Sequence, residues 1–227
     1  MKDKSDAENG IILMDKPAGI SSFGVVAKVR GALKAQFGHK VKVGHTGTLD
    51  PFATGLLILL TGKMTKKSSE FLKLDKIYEA TLKLGYVSST GDPEGEIKPY
   101  PDHRPLGPLK LDKIESVVQS FVGKIKQTPP RYSAIKINGE RAYKLARKGK
   151  EFEMPSREVE IYKIEILHYK WPEVKIRCFV SSGTYIRTLA EDIGAKLETG
   201  AYLTTLRRIQ VGKYSVDSAV DLNSFNA

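Results

Sequence analysis

Three features of the 227-residue sequence predict an α+β fold built on a large, mostly antiparallel sheet flanked by helices. Apolar and polar residues alternate in KIYEATLKLGYVS, placing Tyr78, Ala80, Leu82, Leu84 and Tyr86 on one face, as in a strand buried on one side. Several other segments carry apolar residues at helical spacing. The joints between them are short and rich in Gly, Pro, Asn and Asp, with no repeat and no low-complexity linker.

Residues 1–9 are polar and are expected to form a mobile tail, with residues 10–227 making one domain. A short strand is expected at Gly10–Met14, followed by DKPAG as a turn. In SSFGVVAKVRGALKAQFG, Val25, Val26, Val29, Leu33 and Phe37 fall on one helical face. Ser21 or Ser22 supplies the N-cap and Gly38 lies just past the end. LLILLTG reads as a buried strand and MTKKSSEFLKL as a short helix. After the alternating strand, TGDPEGE is turn chemistry and PYPDHRPLGP a loop. LDKIESVVQSFVG is amphipathic through Leu111, Ile114, Val118 and Phe121. YSAIKINGE is a strand entering an Asn138-Gly139 turn, and RAYKLARKGK a short basic helix. REVEIYKIEILHYK and EVKIRCFVS make two strands, Tyr185–Leu197 a helix, and AYLTTLRRIQVGKYSV the closing strand.

The net charge of +11 and a pI near 9.5 create a positive field that suits a polyanionic partner, nucleic acid or membrane surface. The longest apolar run, Leu56–Leu60, is far too short to span a bilayer, and the N-terminus has no apolar signal segment. A single cysteine, Cys178, excludes an internal disulfide and fits a reducing compartment; its alternating context makes it a buried strand residue. The expectation is a cytoplasmic protein.

TGKMT approaches a phosphate-binding loop but has Leu57 where glycine is needed and Met64 where Ser or Thr is needed. No dinucleotide fingerprint follows a strand, and His39, His45, His103 and His168 are scattered without metal-ligand spacing. What remains is a site expected to need no cofactor and no metal. Its best acid is Asp50 in VGHTGTLDPFATGLL, where Gly44, Gly47 and Gly55 permit tight bends and His45 and Thr48 add polar reach. A carboxylate used as a nucleophile must stay ionised, which calls for a cation. Arg187 in SSGTYIRTLAEDIG can supply a fork-shaped guanidinium. Spacing alone divides Arg187 evenly between Asp50 and the acids of its own helix, Glu191 and Asp192.

GHTGTLDPFATGLL closely resembles the signature of the TruB family of tRNA pseudouridine synthases, and five further blocks follow that family's order. They are DKPAGISS, KIYEA, PPRYSAIKINGERAYKLAR, SSGTYIRTLAEDIG and YLTTLRRIQVGKY, which together span Gly10 to about Tyr214. Val180 departs from the family's usual cysteine. Family members commonly continue into a small C-terminal PUA domain that grips the tRNA acceptor end, and a short form without it is expected.

The resemblance implies the pseudouridine synthase catalytic fold with a central cleft, and isomerisation of the T-loop uridine of tRNA. It implies Asp50 as nucleophile or base, Tyr78 stacking on the flipped uracil, and Arg187 holding Asp50. His45 is either a stacking wedge in the vacated space or a loop hydrogen-bonder. Gly44 and Thr48 border the same turn, Lys16 and Pro17 shape the pocket floor, and Leu206 lines the uracil slot. Arg141, Lys144, Arg147, Lys148 and Lys150, with Tyr143 among them, suit a phosphate-gripping arm, and Arg207 and Arg208 are secondary candidates. The expected partner is the T-arm stem-loop of tRNA, with no membrane, no required protein partner and a monomeric state. Two alternatives stand beside it: a non-catalytic RNA-binding or RNA-folding module, and a guide-RNA-dependent pseudouridine synthase relative.

Overall fold

The computed structural model describes residues 8–101, 107–222 and 224–225. In chain order the elements are β1 (Ile11–Lys16), α1 (Ser22–Phe37), β2 (Val43–His45), β3 (Thr54–Thr61) and a 3-10 turn (Gly62–Lys67) running into α2 (Ser68–Leu72). Next come β4 (Lys76–Leu84), β5 (Tyr86–Ser88), β6 (Ile97–Pro99), α3 (Leu111–Gln119), β7 (Gly123–Gln127), β8 (Lys136–Ile137), β9 (Glu140–Arg141) and α4 (Ala142–Arg147). The chain continues with β10 (Arg157–Lys170), β11 (Glu173–Val180), α5 (Ile186–Lys196), β12 (Ala201–Val211), β13 (Tyr214–Ser215) and β14 (Val220–Asp221).

The main strands hydrogen-bond in the order β14-β1-β3-β12-β4-β11-β10-β7, with β2 on β3 and β13 on β12. The β1–β3, β2–β3, β10–β7, β10–β11 and β12–β13 ladders are antiparallel, whereas β12–β3 and β1–β14 are parallel. The sheet is mixed and mostly antiparallel, as the sequence predicts. The chain gathers into two compact units, residues 1–78 with 207–227, and residues 79–206.

In the first unit, α1 forms where the apolar spacing predicts. Ser21 caps it by accepting from Gly24 N at 3.0 Å, and Gly38, at φ 76°, closes it with an N–H to Lys34 O at 3.0 Å. Ser22 is buried and used elsewhere. Strand β3 is buried on both faces. Leu56, Ile58 and Leu60 pack with Phe71 and Val211, each such side chain contributing about 2 kcal/mol by leaving water. The segment expected as one short helix is a 3-10 turn followed by one turn of α2. Residues 1–7 of the expected tail lie outside the described residues; Glu8 and Asn9 are anchored, Glu8 to His39 at 3.1 Å and Asn9 to the Lys63 amide at 2.5 Å.

Strand β4 alternates as expected through Leu84, with Tyr78, Ala80, Leu82 and Leu84 buried. Tyr86 does not extend that face. Gly85, at φ 86°, turns the chain, and Tyr86 joins β5, which pairs with β6 in a separate two-stranded sheet. Within the second unit, α3 buries Ile114 and Val118 but leaves Leu111 exposed, and Phe121 lies past its end. The loop expected around PYPDHRPLGP falls partly on residues 102–106, outside the described residues. Asn138 and Gly139, at φ 47° and 86°, form the two-residue turn joining β8 to β9.

Candidate functional site

Asp50 sits half-buried in the segment 46–53 that joins β2 to β3. Its carbonyl accepts from Ala53 N at 3.1 Å, closing a tight turn around Pro51. Three side chains from distant parts of the sequence hold this turn. Lys16 is fully buried, and its Nζ donates to the carbonyls of Pro17 (2.8 Å), Ile20 (2.8 Å) and Pro51 (3.1 Å), locking the DKPAG turn to the residue after Asp50. Gly19 N reinforces the tie with a 2.9 Å bond to Pro51 O. Ser22 Oγ donates to Leu49 O at 2.9 Å and accepts from Leu49 N at 2.8 Å, fixing the residue before Asp50 on both sides of its backbone.

Arg208 supplies the third tether. Its guanidinium donates to Leu56 O at 2.7 Å and Gly47 O at 3.1 Å, and its side chain is almost completely buried. The sequence offered Lys16 as part of the pocket floor and, like Arg208, as a substrate-binding candidate; the structure places both inside the framework of the Asp50 loop. Beside them, Arg207 makes a bidentate pair with Asp15 at 2.6 and 3.0 Å. Gly55 is required where β3 meets β12: at φ 99°, a Cβ there would overlap the Arg208 carbonyl. Gly44 and His45 lie on β2, His45 half-buried with Nδ1 3.4 Å from Gly47 N, and Thr48 is exposed on the loop.

Tyr78 is on β4 and largely buried. Two residues before it, Lys76 is also buried, its Nζ donating to the carbonyls of Leu72 and Leu74 at the end of α2. Burial, then the nearby Arg208 charge, push the Lys76 amine down to about 8, against a smaller opposing pull from Asp75.

In the second unit, Arg187 stands in the first turn of α5 and is 3% exposed. Its Nη1 donates to Thr90 O at 2.9 Å and pairs with Asp92 Oδ2 at 3.2 Å, while Nη2 donates to Tyr132 O at 2.8 Å. Asp92, which the sequence offered only as turn chemistry, is buried and also accepts from Thr90 Oγ1 (2.5 Å) and Glu94 N (3.0 Å). Arg187 thus pairs with an acid outside its own helix. Burial raises the Glu191 carboxyl to about 6, with Arg187 opposing and the Asp192 and Asp92 charges assisting.

Arg141, Lys144, Arg147, Lys148 and Lys150 are all exposed on β9, α4 and the residues after it. Arg141 donates to Ala134 O at 2.7 Å, Lys148 pairs with Glu140 at 2.6 Å, and the Arg147 guanidinium lies 5.8 Å from the Tyr143 ring centroid. Leu206, on β12, is buried. Cys178 is fully buried on β11, its thiol pushed up to about 12 by desolvation, which leaves it without nucleophilic character. Among the described residues, no three His, Cys, Asp or Glu side chains gather closely enough to hold a metal ion, and no helix is long and apolar enough to cross a membrane. One unit carries a firmly tethered Asp50 turn; the other carries a buried Arg187–Asp92 pair and an exposed basic arm. Asp92, Gln127 and Lys76 are buried polar residues that the sequence did not single out, and Ser22 was offered there only as an N-cap.

The TruB family pseudouridylate synthase N-terminal domain matches residues 33–186, and the tRNA pseudouridylate synthase B C-terminal domain matches residues 187–227. The chain belongs to the TruB family of pseudouridylate synthases. It is 44% identical to tRNA pseudouridine synthase B of Phocaeicola vulgatus over 220 residues, covering 96% of this chain and 92% of that protein. The protein of the same name from Aquifex aeolicus is 44% identical over 219 residues, covering 96% and 73%. Among solved structures, a Cbf5-Nop10-Gar1 complex superposes with a TM-score of 0.74 at 30% identity, covering 98% of this chain and 55% of that one. An H/ACA RNP bound to a substrate RNA containing 2'-deoxyuridine gives 0.69 at 27%, covering 96% and 52%. The chain thus spans about half the length of these solved chains.

Proposed function

We propose that this protein isomerises the T-loop uridine of tRNA to pseudouridine, with Asp50 starting the reaction. The observation that carries the reading is the triple tethering of the Asp50 turn by Lys16, Ser22 and Arg208. A surface that only binds RNA has no use for a carboxylate-bearing turn whose backbone is held so firmly, whereas a misplacement of about 1 Å costs a reacting group about a hundredfold in rate. The curated relatives, 43–45% identical over nearly the whole chain and named tRNA pseudouridine synthase B, supply the substrate class.

The reaction breaks the N1–C1′ bond, turns the uracil and forms C5–C1′; the C5 proton leaves and N1 gains one. Atoms and electrons balance without a co-reactant. The target nucleotide must first be everted, at a cost of a few kcal/mol. In this reading Asp50 acts as nucleophile or base, and Tyr78 stacks on the uracil. Arg187 is the cation that keeps the carboxylate ionised, His45 faces the RNA beside the turn, and Leu206 lines the uracil slot. Lys16 and Arg208 serve by shaping the loop, since both are spent on backbone carbonyls. Lys144, Arg147 and their neighbours grip phosphates. We assign residues 10–227 to one catalytic domain, acting as a cytoplasmic monomer without protein partner.

The resemblance to a Cbf5-Nop10-Gar1 complex at 30% identity and to an H/ACA RNP at 27% favours a second reading, a synthase that works inside such an assembly. The higher identity, 43–45%, to relatives named tRNA pseudouridine synthase B weighs for the first. Tritium release from a T-arm stem-loop carrying uridine tritiated at C5 tests both. Release by the purified chain, abolished in Asp50→Asn, supports the stand-alone synthase; no release by the wild type overturns it.

A further inference from the structure

Helix α5 begins at Tyr185 without a cap from its own side chains: no side-chain cap bond closes its N-terminus. Tyr185, the N-cap residue, is itself gripped by Gln127, the last residue of β7, which is 1% exposed. Its Oε1 accepts from Tyr185 N at 2.7 Å, and its Nε2 donates to Tyr185 O at 2.9 Å. One primary amide thus satisfies both backbone groups of the residue two before Arg187, 58 positions away in sequence. A primary amide offers a donor and an acceptor side by side on one rigid plane, and glutamine has a longer reach than asparagine.

The grip is doubled across the ladder. Gln127 pairs in register with Arg157 of β10, and Arg157 lays its guanidinium 4.8 Å from the Tyr185 ring centroid while donating to Gly183 O. Glu160, further along β10, accepts from Ser181 N and donates its own amide to Ser181 Oγ, both at 2.8 Å. Thr188 Oγ1, one residue past Arg187, donates to Thr128 O at 3.3 Å, beside Gln127. The turn 181–185 therefore has no freedom to slide against the β7–β10 ladder, and the first turn of α5 inherits that fixity.

We propose that Gln127 is a positioning residue for Arg187, setting the axial position of α5 so that the guanidinium reaches its place. The proposal rests on the reading of Arg187 as the cation of the synthase site. It excludes any contact of Gln127 itself with RNA, because the side chain is buried against Tyr185.

The test is a double-mutant cycle with Gln127→Met and Arg187→Lys, read by single-turnover tritium release and by equilibrium binding of the same T-arm RNA. Gln127→Met keeps the side-chain volume and removes both hydrogen bonds. We expect its single-turnover rate to fall about a hundredfold, the size of loss that an ångström-scale misplacement brings, while the Kd for RNA stays within about twofold. In the Arg187→Lys background the same change should alter the rate by no more than about twofold. An equal loss in both backgrounds, an unchanged rate, or a loss appearing as weaker RNA binding overturns the proposal. Should Gln127→Met fail to fold, Gln127→Asn, which keeps the amide but shortens its reach, enters the same cycle with the same criteria. A wild type that releases no tritium refutes the synthase reading itself, and the proposal falls with it.

Discussion

Ser22 and Leu49 are joined twice through one oxygen: the Ser22 hydroxyl donates to the Leu49 carbonyl and accepts from the Leu49 amide. Both residues are buried, so neither backbone group has water to turn to. Ser22→Ala leaves that amide and carbonyl unpaired, and a buried unpaired polar group costs about 1–3 kcal/mol. We expect a loss of about 2 kcal/mol in urea unfolding. The single-turnover rate should fall as well, because Leu49 directly precedes Asp50. A variant as stable and as fast as wild type would show that the turn holds itself.

Gly55→Ala is expected to be more damaging. The backbone at φ 99° disfavours any side chain, and the added methyl would overlap the Arg208 backbone rather than a flexible side-chain tip. The parallel β12–β3 pairing at Arg208 and Gly55 has to open to admit it. A loss on the order of 3 kcal/mol or more is expected. Thermal unfolding measures it directly, and a small effect would mean that β12 can yield at this point.

Lys76 carries a pH dependence. Its folded-state value near 8 lies below the usual 10.5, so between those limits the unfolded chain holds a proton that the folded chain has released. Folding stability contributed by this group therefore rises with pH across that window and is constant below it. The neutral amine still has two protons, enough for the carbonyls of Leu72 and Leu74. In Lys76→Met the dependence disappears. The stability advantage of wild type over variant should thus grow by about 1–3 kcal/mol between pH 7.5 and 10. A constant difference would show that Lys76 stays charged throughout.

The exposed arm is expected to act through charge alone. Replacing Lys144 or Arg147 by Ala should weaken T-arm binding to any sequence alike and flatten the slope of log K against log salt by about 0.7–0.9 per lost phosphate contact. Measurement of affinity at several salt concentrations decides it. Unchanged slopes would place these cations on a solvated face.

Much of this architecture is legible in the sequence because apolar periodicity and turn chemistry are local signals. Val25, Val26, Val29 and Leu33 announce α1, the even positions of β4 announce a half-buried strand, and Asn138-Gly139 announces a hairpin. The Tyr86 misassignment is also local: one glycine at positive φ ends an alternation that the side chains alone would continue. The polar framework of the site is a different matter. Ser22, Asp92 and Gln127 look like surface residues until the fold brings Leu49, Arg187 and Tyr185 to them. Arg208 misled in the opposite sense, since an arginine in a basic protein suggests phosphate, and only the tertiary structure shows its guanidinium spent on Gly47 and Leu56. Sequence patterning reports whether a residue is apolar far better than it reports why a polar one is buried.

The bond from Arg208 to Gly47 also sets a clock. It joins residues 161 positions apart, so the loop that carries Asp50 leaves the ribosome long before the residue that closes it. At about 5–20 residues per second the wait is roughly ten to thirty seconds. Throughout it, Gly47 and Leu56 lack the donor that fixes their carbonyls. The Lys16 and Ser22 tethers can form early, but the third waits until β12 has been made and inserted beside β3. Of the three tethers on the Asp50 turn, the one from Arg208 is thus synthesised last.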